Sequence, residues 1–368
     1  MIKVLHIITD ANIGGAGSHL LTFFPVADRE TFSYEVALPT GSKLISKLDV
    51  PYTELPNIAA RSFSIKGLLA LYRLVKQKSP DIVHTHASLA GRIAARLCGC
   101  KIVHTRHSVF APTGRSFAFL NQRLSDAIIA VSPAAKENLV QMGIKPESIS
   151  VIFNGIKPVR RYSEQEKNDI RASYGIKPGA FVVSQLARLI DIKGHDYTLD
   201  AAKKWPDITV LIAGEGPHEE HLRRRAKEES ISNVIFMGFI DKVADIHNIS
   251  DLQINTSYGT EATSYSLLDG MSLGIPAVVS DFGGNPYVIT HSKNGLVFPE
   301  KDANALADAV LQIKNDSTLY QKLSKGAIEE FESRFKIEDM AKHMENLYQS
   351  LIGESTSIRH RRLSNERF

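Results

Sequence analysis

The chain has 368 residues, 43% of them hydrophobic and 23% charged, with a formal net charge of +4. This is long enough for two domains with separate cores, and the balance is that of a water-exposed globular protein rather than a disordered or fibrous one. No apolar run reaches the roughly 18 residues a membrane span needs, and Met1–His6 leads straight into a strand without a signal-peptide pattern.

Short β-branched runs alternate with helical patterns throughout. In the first half the expected strands are Ile2–Ile8, Tyr34–Leu38, Ile82–His84, Ile102–Thr105, Ala127–Val131 and Ser150–Phe153. In the second they are Phe181–Leu186, Ile208–Ala213, Val234–Met237, Leu252–Asn255, Ala277–Ser280 and Gly295–Phe298. Continuous apolar strands separated by crossover helices are the mark of parallel sheets covered on both faces. Two sets of six imply an α/β protein of two doubly wound domains, residues 1–160 and 175–335. The charged, proline-containing stretch between them, Ile156 to Gly179, reads as a linker with one short helix. A helix over 336–352 and a polar tail over 353–368 complete the chain. Residues 1–155 carry 17 Lys/Arg against 10 Asp/Glu, and the remainder 27 against 30. A basic first half suits an anionic acceptor or an anionic membrane face. Cys98 and Cys100 lack the second ligand pair of a zinc site and read as reduced thiols of a cytoplasmic protein.

The candidate chemistry sits where strands end. Strand Ile2–Ile8 runs into Gly14-Gly15-Ala16-Gly17 and a helix over His19–Phe24, a turn whose amides can approach a phosphate. It lacks the spacing of the dinucleotide fingerprint. Four histidines follow later strands: His84, His86, His104 and His107. No acidic ligand set accompanies them, so no metal site is expected, and His84 and His86 read equally well as packing residues. Arg188 ends a strand and Lys193 follows on the loop; a planar fork and a point charge at a strand end suit a diphosphate. Glu261 and Asp269 flank the start of a helix expected from about Ser264. Gly274-Ile275-Pro276 ends that helix, and a strand and Gly283-Gly284 come next. No Asp-x-Asp occurs, the feature with which metal-dependent sugar transferases hold a divalent ion.

Taken together, Thr260–Gly284, Arg188 with Lys193-Gly194, the Gly14-Gly15 loop and Thr105-Arg106-His107 resemble the motifs of retaining glycosyltransferase family 4, over about residues 2 to 350. The resemblance implies a GT-B fold: two facing Rossmann-like domains with a C-terminal helix crossing back to the first. It implies transfer of a sugar from a nucleotide diphosphate sugar to a hydroxyl acceptor in cell-surface polysaccharide or glycolipid assembly. The sugar would be a hexose or N-acetylhexosamine, moved with retention and without metal or cofactor, from a UDP-sugar in the first instance. It assigns catalytic positions to His107, Arg188, Lys193 and Glu261. Donor contacts would come from Gly14, Gly15, Ala16, Phe239, Ile240, Ser264, Tyr265, Ser266 and Asp269, with Glu261 on the sugar hydroxyls and Asp269 on the ribose. Four positions depart from the pattern: Asp269 replaces a glutamate, Ala187 a glycine, Lys157 an aspartate, and Pro286-Tyr287 stand where a glutamate is usual. The implied location is the cytoplasm, at the inner membrane face through Arg61, Lys66, Arg73 and Lys76. A sugar-nucleotide epimerase or phosphorylase of the same fold is the alternative, the latter needing a pyridoxal-bearing lysine and a longer chain. A non-catalytic nucleotide- or nucleic-acid-binding protein is the third reading; the first half lacks the interleaved aromatics of such proteins.

Overall fold

A computed structural model describes residues 1–59, 64–109 and 122–365. The chain divides into two units, residues 1–155 with 337–368, and residues 156–336.

In the first unit seven parallel strands form one sheet: β1 (Ile2–Ile8), β2 (Phe32–Pro39), β3 (Tyr52–Leu55), β4 (Ile82–His86), β5 (Lys101–Arg106), β6 (Ala127–Ala130) and β7 (Ile149–Val151), in the order β3-β2-β1-β4-β5-β6-β7. The sequence reading missed β3. It is an edge strand with Tyr52 43% exposed and no continuous apolar run, so the signal of a doubly covered strand is absent. The order reverses direction between β1 and β4, and the carboxyl ends of strands at such a reversal form a ligand crevice. The helix Ile337–Asn365 belongs to this unit. Its Ile337, Met340, Ala341, Met344, Tyr348 and Leu351 recur every three or four residues and join Phe23, Phe24, Phe32 and Tyr34 in one core. Burying five such side chains besides the alanine contributes on the order of 10 kcal/mol before ordering entropy. Tyr34 Oη donates to Glu345 at 3.0 Å, fixing the helix rotation. The helix continues as backbone to Asn365, beyond the end expected at 352, where the apolar stripe stops but the chain stays helical. Cys98 and Cys100 are unpaired, and burial pushes the Cys100 thiol up to about 11. Among the described residues no helix is long and apolar enough to cross a membrane.

The second unit holds β8 (Phe181–Leu186), β9 (Ile208–Ala213), β10 (Val234–Gly238), β11 (Leu252–Asn255), β12 (Ala277–Ser280) and β13 (Gly295–Phe298). They are parallel and ordered β10-β9-β8-β11-β12-β13, the Rossmann order, with its reversal between β8 and β11. Trp205, fully buried, centres a core with Leu199, Val210, Leu252 and Leu306. The stretch expected as a linker is tied into this unit. Val159 N donates to Ser272 Oγ at 3.0 Å and Arg161 to Leu273 O at 2.7 Å. Its helix Glu164–Ser173 opens with a Ser163/Glu166 capping box.

Candidate active site

In the second unit the residues in question gather at the carboxyl ends of β8 and β11, on either side of the reversal. The chain leaves β8 at Leu186 and passes through Arg188 to Lys193. Backbone bonds to the Gly214–Pro217 turn hold this loop: Leu189 N donates to Glu215 O at 2.9 Å, and His218 N to Leu189 O at 3.0 Å. Arg188 is exposed, and its guanidinium has no hydrogen-bond or ion-pair partner among the described residues. The loop ends at Gly194, φ +70°, where a Cβ would overlap the carbonyl oxygen of Thr256. Three polar side chains brace the turn. Gln185 Nε2 donates to Lys193 O at 3.1 Å, Thr256 Oγ1 to the same oxygen at 2.9 Å, and Thr198 Oγ1 to Gln185 Oε1 at 2.6 Å.

So braced, Lys193 Nζ donates to Glu261 Oε2 at 2.8 Å and to Thr260 O at 3.1 Å. The Glu261 side chain is only 9% exposed, and its Oε2 also accepts from Asn255 Nδ2 at 3.1 Å and Ser257 Oγ at 3.2 Å. Three donors converge on one carboxylate oxygen, while Oε1 has no protein donor among the described residues. A buried carboxylate is tolerated when paired and hydrogen-bonded in this way. The glycine pair holds the backbone of the same residue: Gly284 N donates to Glu261 O at 2.9 Å, and a Cβ on Gly284 would overlap the carbonyl oxygen of Ala262.

Ser264 occupies the N-cap position of the helix Tyr265–Ser272, close to where the sequence implied a start, but its side chain makes no capping bond, and the amides of the first turn are the open end of a helix dipole. Asp269 lies inside that helix. Although 24% of its side chain stays exposed, the protein around it removes enough water to lift its carboxyl to about 7. His247 Nε2 is 3.9 Å away, but burial lowers this histidine to about 4, so the two form no ion pair at neutral pH. Beyond β10, Phe239 is 66% exposed and Ile240 half-buried.

In the first unit the Gly14 loop follows β1 at the reversal. Gly14 is the N-cap of the helix Gly15–Phe23, and a Cβ on Gly15 would meet open space. Ala16 is partly buried against the core. His107 follows β5; its Nε2 lies 2.8 Å from His86 Nδ1. Lys66, Arg73 and Lys76 are exposed along the helix Ile65–Lys78, together with Ile65 and Leu69; Arg61 lies outside the described residues. Arg188, Lys193, Glu261, Asp269 and the Ser264–Ser266 turn thus belong to one unit, and Gly14, Gly15, Ala16 and His107 to the other. Sequence reasoning missed Gln185, Asn255 and Thr256. Their only signal was a polar residue at the end of an otherwise apolar strand.

Among the described residues two clusters bring three ligand-type atoms within 4.8 Å: His6, His84 and His86, and Asp196, His218 and His221. In the second, Arg225 Nη1 also donates to Asp196 at 2.9 Å, so the carboxylate already carries a cationic partner.

Comparison with known proteins agrees with this architecture. The family model "Glycosyl transferases group 1" matches residues 166–330, and "Glycosyltransferase Family 4" matches residues 13–160. An Escherichia coli protein named UDP-Gal:alpha-D-GlcNAc-diphosphoundecaprenol alpha-1,3-galactosyltransferase is 26% identical, with 95% of this chain and 97% of that protein covered. The N-acetyl-alpha-D-glucosaminyl L-malate synthase of Bacillus anthracis is 25% identical over 76% of this chain and 77% of that protein. Among solved structures, Anabaena HepE in complex with UDP and glucose superposes with a TM-score of 0.84 at 22% identity, covering 95% of this chain and 100% of that one. A glycosyltransferase of Rickettsia africae gives 0.83 at 18% identity, covering 95% and 98%.

Proposed function

The chain belongs to glycosyltransferase family 4 and is a glycosyltransferase, and from that premise we propose that it moves one hexosyl or N-acetylhexosaminyl group from a UDP-sugar to a hydroxyl of a lipid-linked saccharide, with retention. The Lys193–Glu261 pair at the end of β8 and β11 carries the reading. Arg188, exposed and with its guanidinium unpartnered among the described residues, and Lys193, whose ammonium has a third proton to donate, bind the diphosphate, helped by the first-turn amides at Ser264, Tyr265 and Ser266. As the anomeric C–O bond breaks, negative charge grows on the departing diphosphate, and these fixed donors stabilise it without an ion. The acceptor oxygen bonds to the anomeric carbon on the same face, and its proton passes to the leaving phosphate oxygen. Glu261 Oε1 takes the sugar hydroxyls, since Oε2 is occupied. Asp269 takes the ribose; near pH 7 it serves as both donor and acceptor, which compensates in part for being shorter than glutamate. Phe239 and Ile240 meet the base.

The relatives' names support the donor and the lipid-linked acceptor: one names a UDP-galactose donor and a diphosphoundecaprenol acceptor, and the Anabaena structure holds UDP and glucose. The enzyme works in the cytoplasm at an anionic membrane face, which Lys66, Arg73 and Lys76 suit, with Ile65 and Leu69 on the same helix. A thermal-shift screen of UDP-, GDP-, ADP- and TDP-sugars in EDTA tests the donor. Stabilisation by a UDP-sugar is expected, and stabilisation only on adding a divalent ion would overturn the metal-free reading. Incubating the donor alone separates transfer from epimerisation, since only an epimerase would change the sugar without an acceptor.

A further inference from the structure

The loop that leaves β11 folds back so that Asn255, the last residue of that strand, reaches the carboxylate of Glu261. The Asn255 amide has one workable orientation. Its Oδ1 lies 3.1 Å from Ser257 N, which only donates, and its Nδ2 lies 3.1 Å from Glu261 Oε2, a carboxylate oxygen that only accepts. Turned over, the amide would set N–H against N–H and oxygen against oxygen. Asn255 therefore donates to Glu261.

Ser257 is fixed in the same way. Ser280 Oγ lies 2.6 Å from Ser257 O, and a carbonyl only accepts, so the single Ser280 proton goes there. Asn285 Nδ2, 3.0 Å from Ser280 Oγ, must then donate to it. The Ser257 hydroxyl is left to donate to Glu261 Oε2 at 3.2 Å. Ser257, Ser280 and Asn285 are each at most 1% exposed, so water has little access to these bonds.

An unrestrained glutamate can grip two neighbouring hydroxyls with its two oxygens. Here Lys193, Asn255 and Ser257 fill Oε2, and only Oε1 stays open among the described residues. Lys193 ends a flexible stem and can follow the carboxylate, whereas Asn255 has a short side chain on a strand paired with β12. We propose that Asn255 is a positioning residue that holds Glu261 in this orientation by donating a hydrogen bond, so that the sugar of the donor meets one oxygen, Oε1. This rests on the reading that Glu261 binds that sugar.

The isosteric variant Asn255→Asp tests it. The substitution keeps the acceptor for Ser257 N, loses the donor, and sets a second carboxylate where Nδ2 stands, 3.1 Å from Oε2. Lys193 can offset one of the two charges. Like charges this close share a proton. The folded variant then binds more protons than its unfolded chain near neutral pH, and it loses stability as pH rises. Its Tm should match the wild type at pH 5 and lie about 5 °C below it at pH 8. In Asn255→Asp/Glu261→Gln the glutamine amide can donate to the new carboxylate, so that pH dependence should vanish. At pH 8 the affinity of Asn255→Asp for UDP should stay within about twofold of wild type. Its affinity for the UDP-sugar that stabilises the wild type most should fall about 10- to 100-fold. A variant with wild-type Tm at both pH values would mean a packing role only and would overturn the proposal, as would equal losses of affinity for UDP and UDP-sugar. Wild-type affinity of Glu261→Ala for the UDP-sugar would instead remove Glu261 from the sugar; the melts, which need no ligand, still decide whether Asn255 holds it.

Discussion

Lys193→Met is the most informative single perturbation of the second unit. In the wild type the ammonium is 2.8 Å from Glu261 Oε2, and the two side chains are 17% and 9% exposed. Removing one partner of a buried pair costs about 3–5 kcal/mol, because the other charge is left without compensation. Here Asn255 and Ser257 still donate to the same oxygen, which brings the expected loss to roughly 2–3 kcal/mol. For a unit of this size that is a fall in Tm of about 5–10 °C. Turnover should fall about 10²- to 10³-fold, since a donor aimed at the developing diphosphate charge is lost. The double variant Lys193→Met/Glu261→Gln removes the orphaned charge, so it should regain most of the stability and none of the activity. Thermal unfolding and transfer rates of the three variants complete the cycle. Stability losses that simply add in the double variant, or a Lys193→Met enzyme with wild-type Tm and rate, would refute the reasoning.

Other predictions follow from single residues. Asp269 is raised in the folded chain to about 7 from an ordinary value of 3.8. The folded state therefore binds more protons than the unfolded one between those values, and its contribution to stability falls as pH rises through that window. Asp269→Asn should match the wild type in stability at pH 4 and exceed it at pH 8, by up to about 4 kcal/mol for a three-unit shift; equal stability at pH 8 would contradict the burial argument. Gly284→Ala drives a methyl into the Ala262 carbonyl, so it should lower Tm and, by shifting Glu261, turnover as well. Circular dichroism melts and transfer rates read both effects. Tyr348→Phe removes the hydroxyl 2.6 Å from buried His84 Nδ1 and should cost about 1–3 kcal/mol, measured by denaturant titration.

Much of this fold could be read from sequence because parallel sheets buried on both faces write themselves as uninterrupted apolar runs. Tyr52–Leu55 escaped because an edge strand needs no such run. The stretch after Ile156 looked like a linker because charge and proline say nothing about the specific bonds that Val159 and Arg161 make to the end of the helix Tyr265–Ser272. The site divides in the same way. Arg188, Lys193 and Glu261 stood out as charged residues at strand ends, whereas Gln185 and Thr256 orient Lys193 through contacts that only β8 and β11, once paired, bring about. The histidines were visible as types at strand ends, but their meeting depends on the β1–β4 and β4–β5 registers, which no single strand contains.

The central claim is that the second unit binds a nucleotide diphosphate through two cations and two carboxylates without an ion. A crystal structure of the full chain grown with a UDP-sugar in EDTA tests it most directly. The account predicts the diphosphate within hydrogen-bonding distance of Arg188 and Lys193, the ribose on Asp269 and a sugar hydroxyl on Glu261 Oε1. A diphosphate seated away from both cations, or a donor that binds only once a divalent metal is supplied, would contradict it.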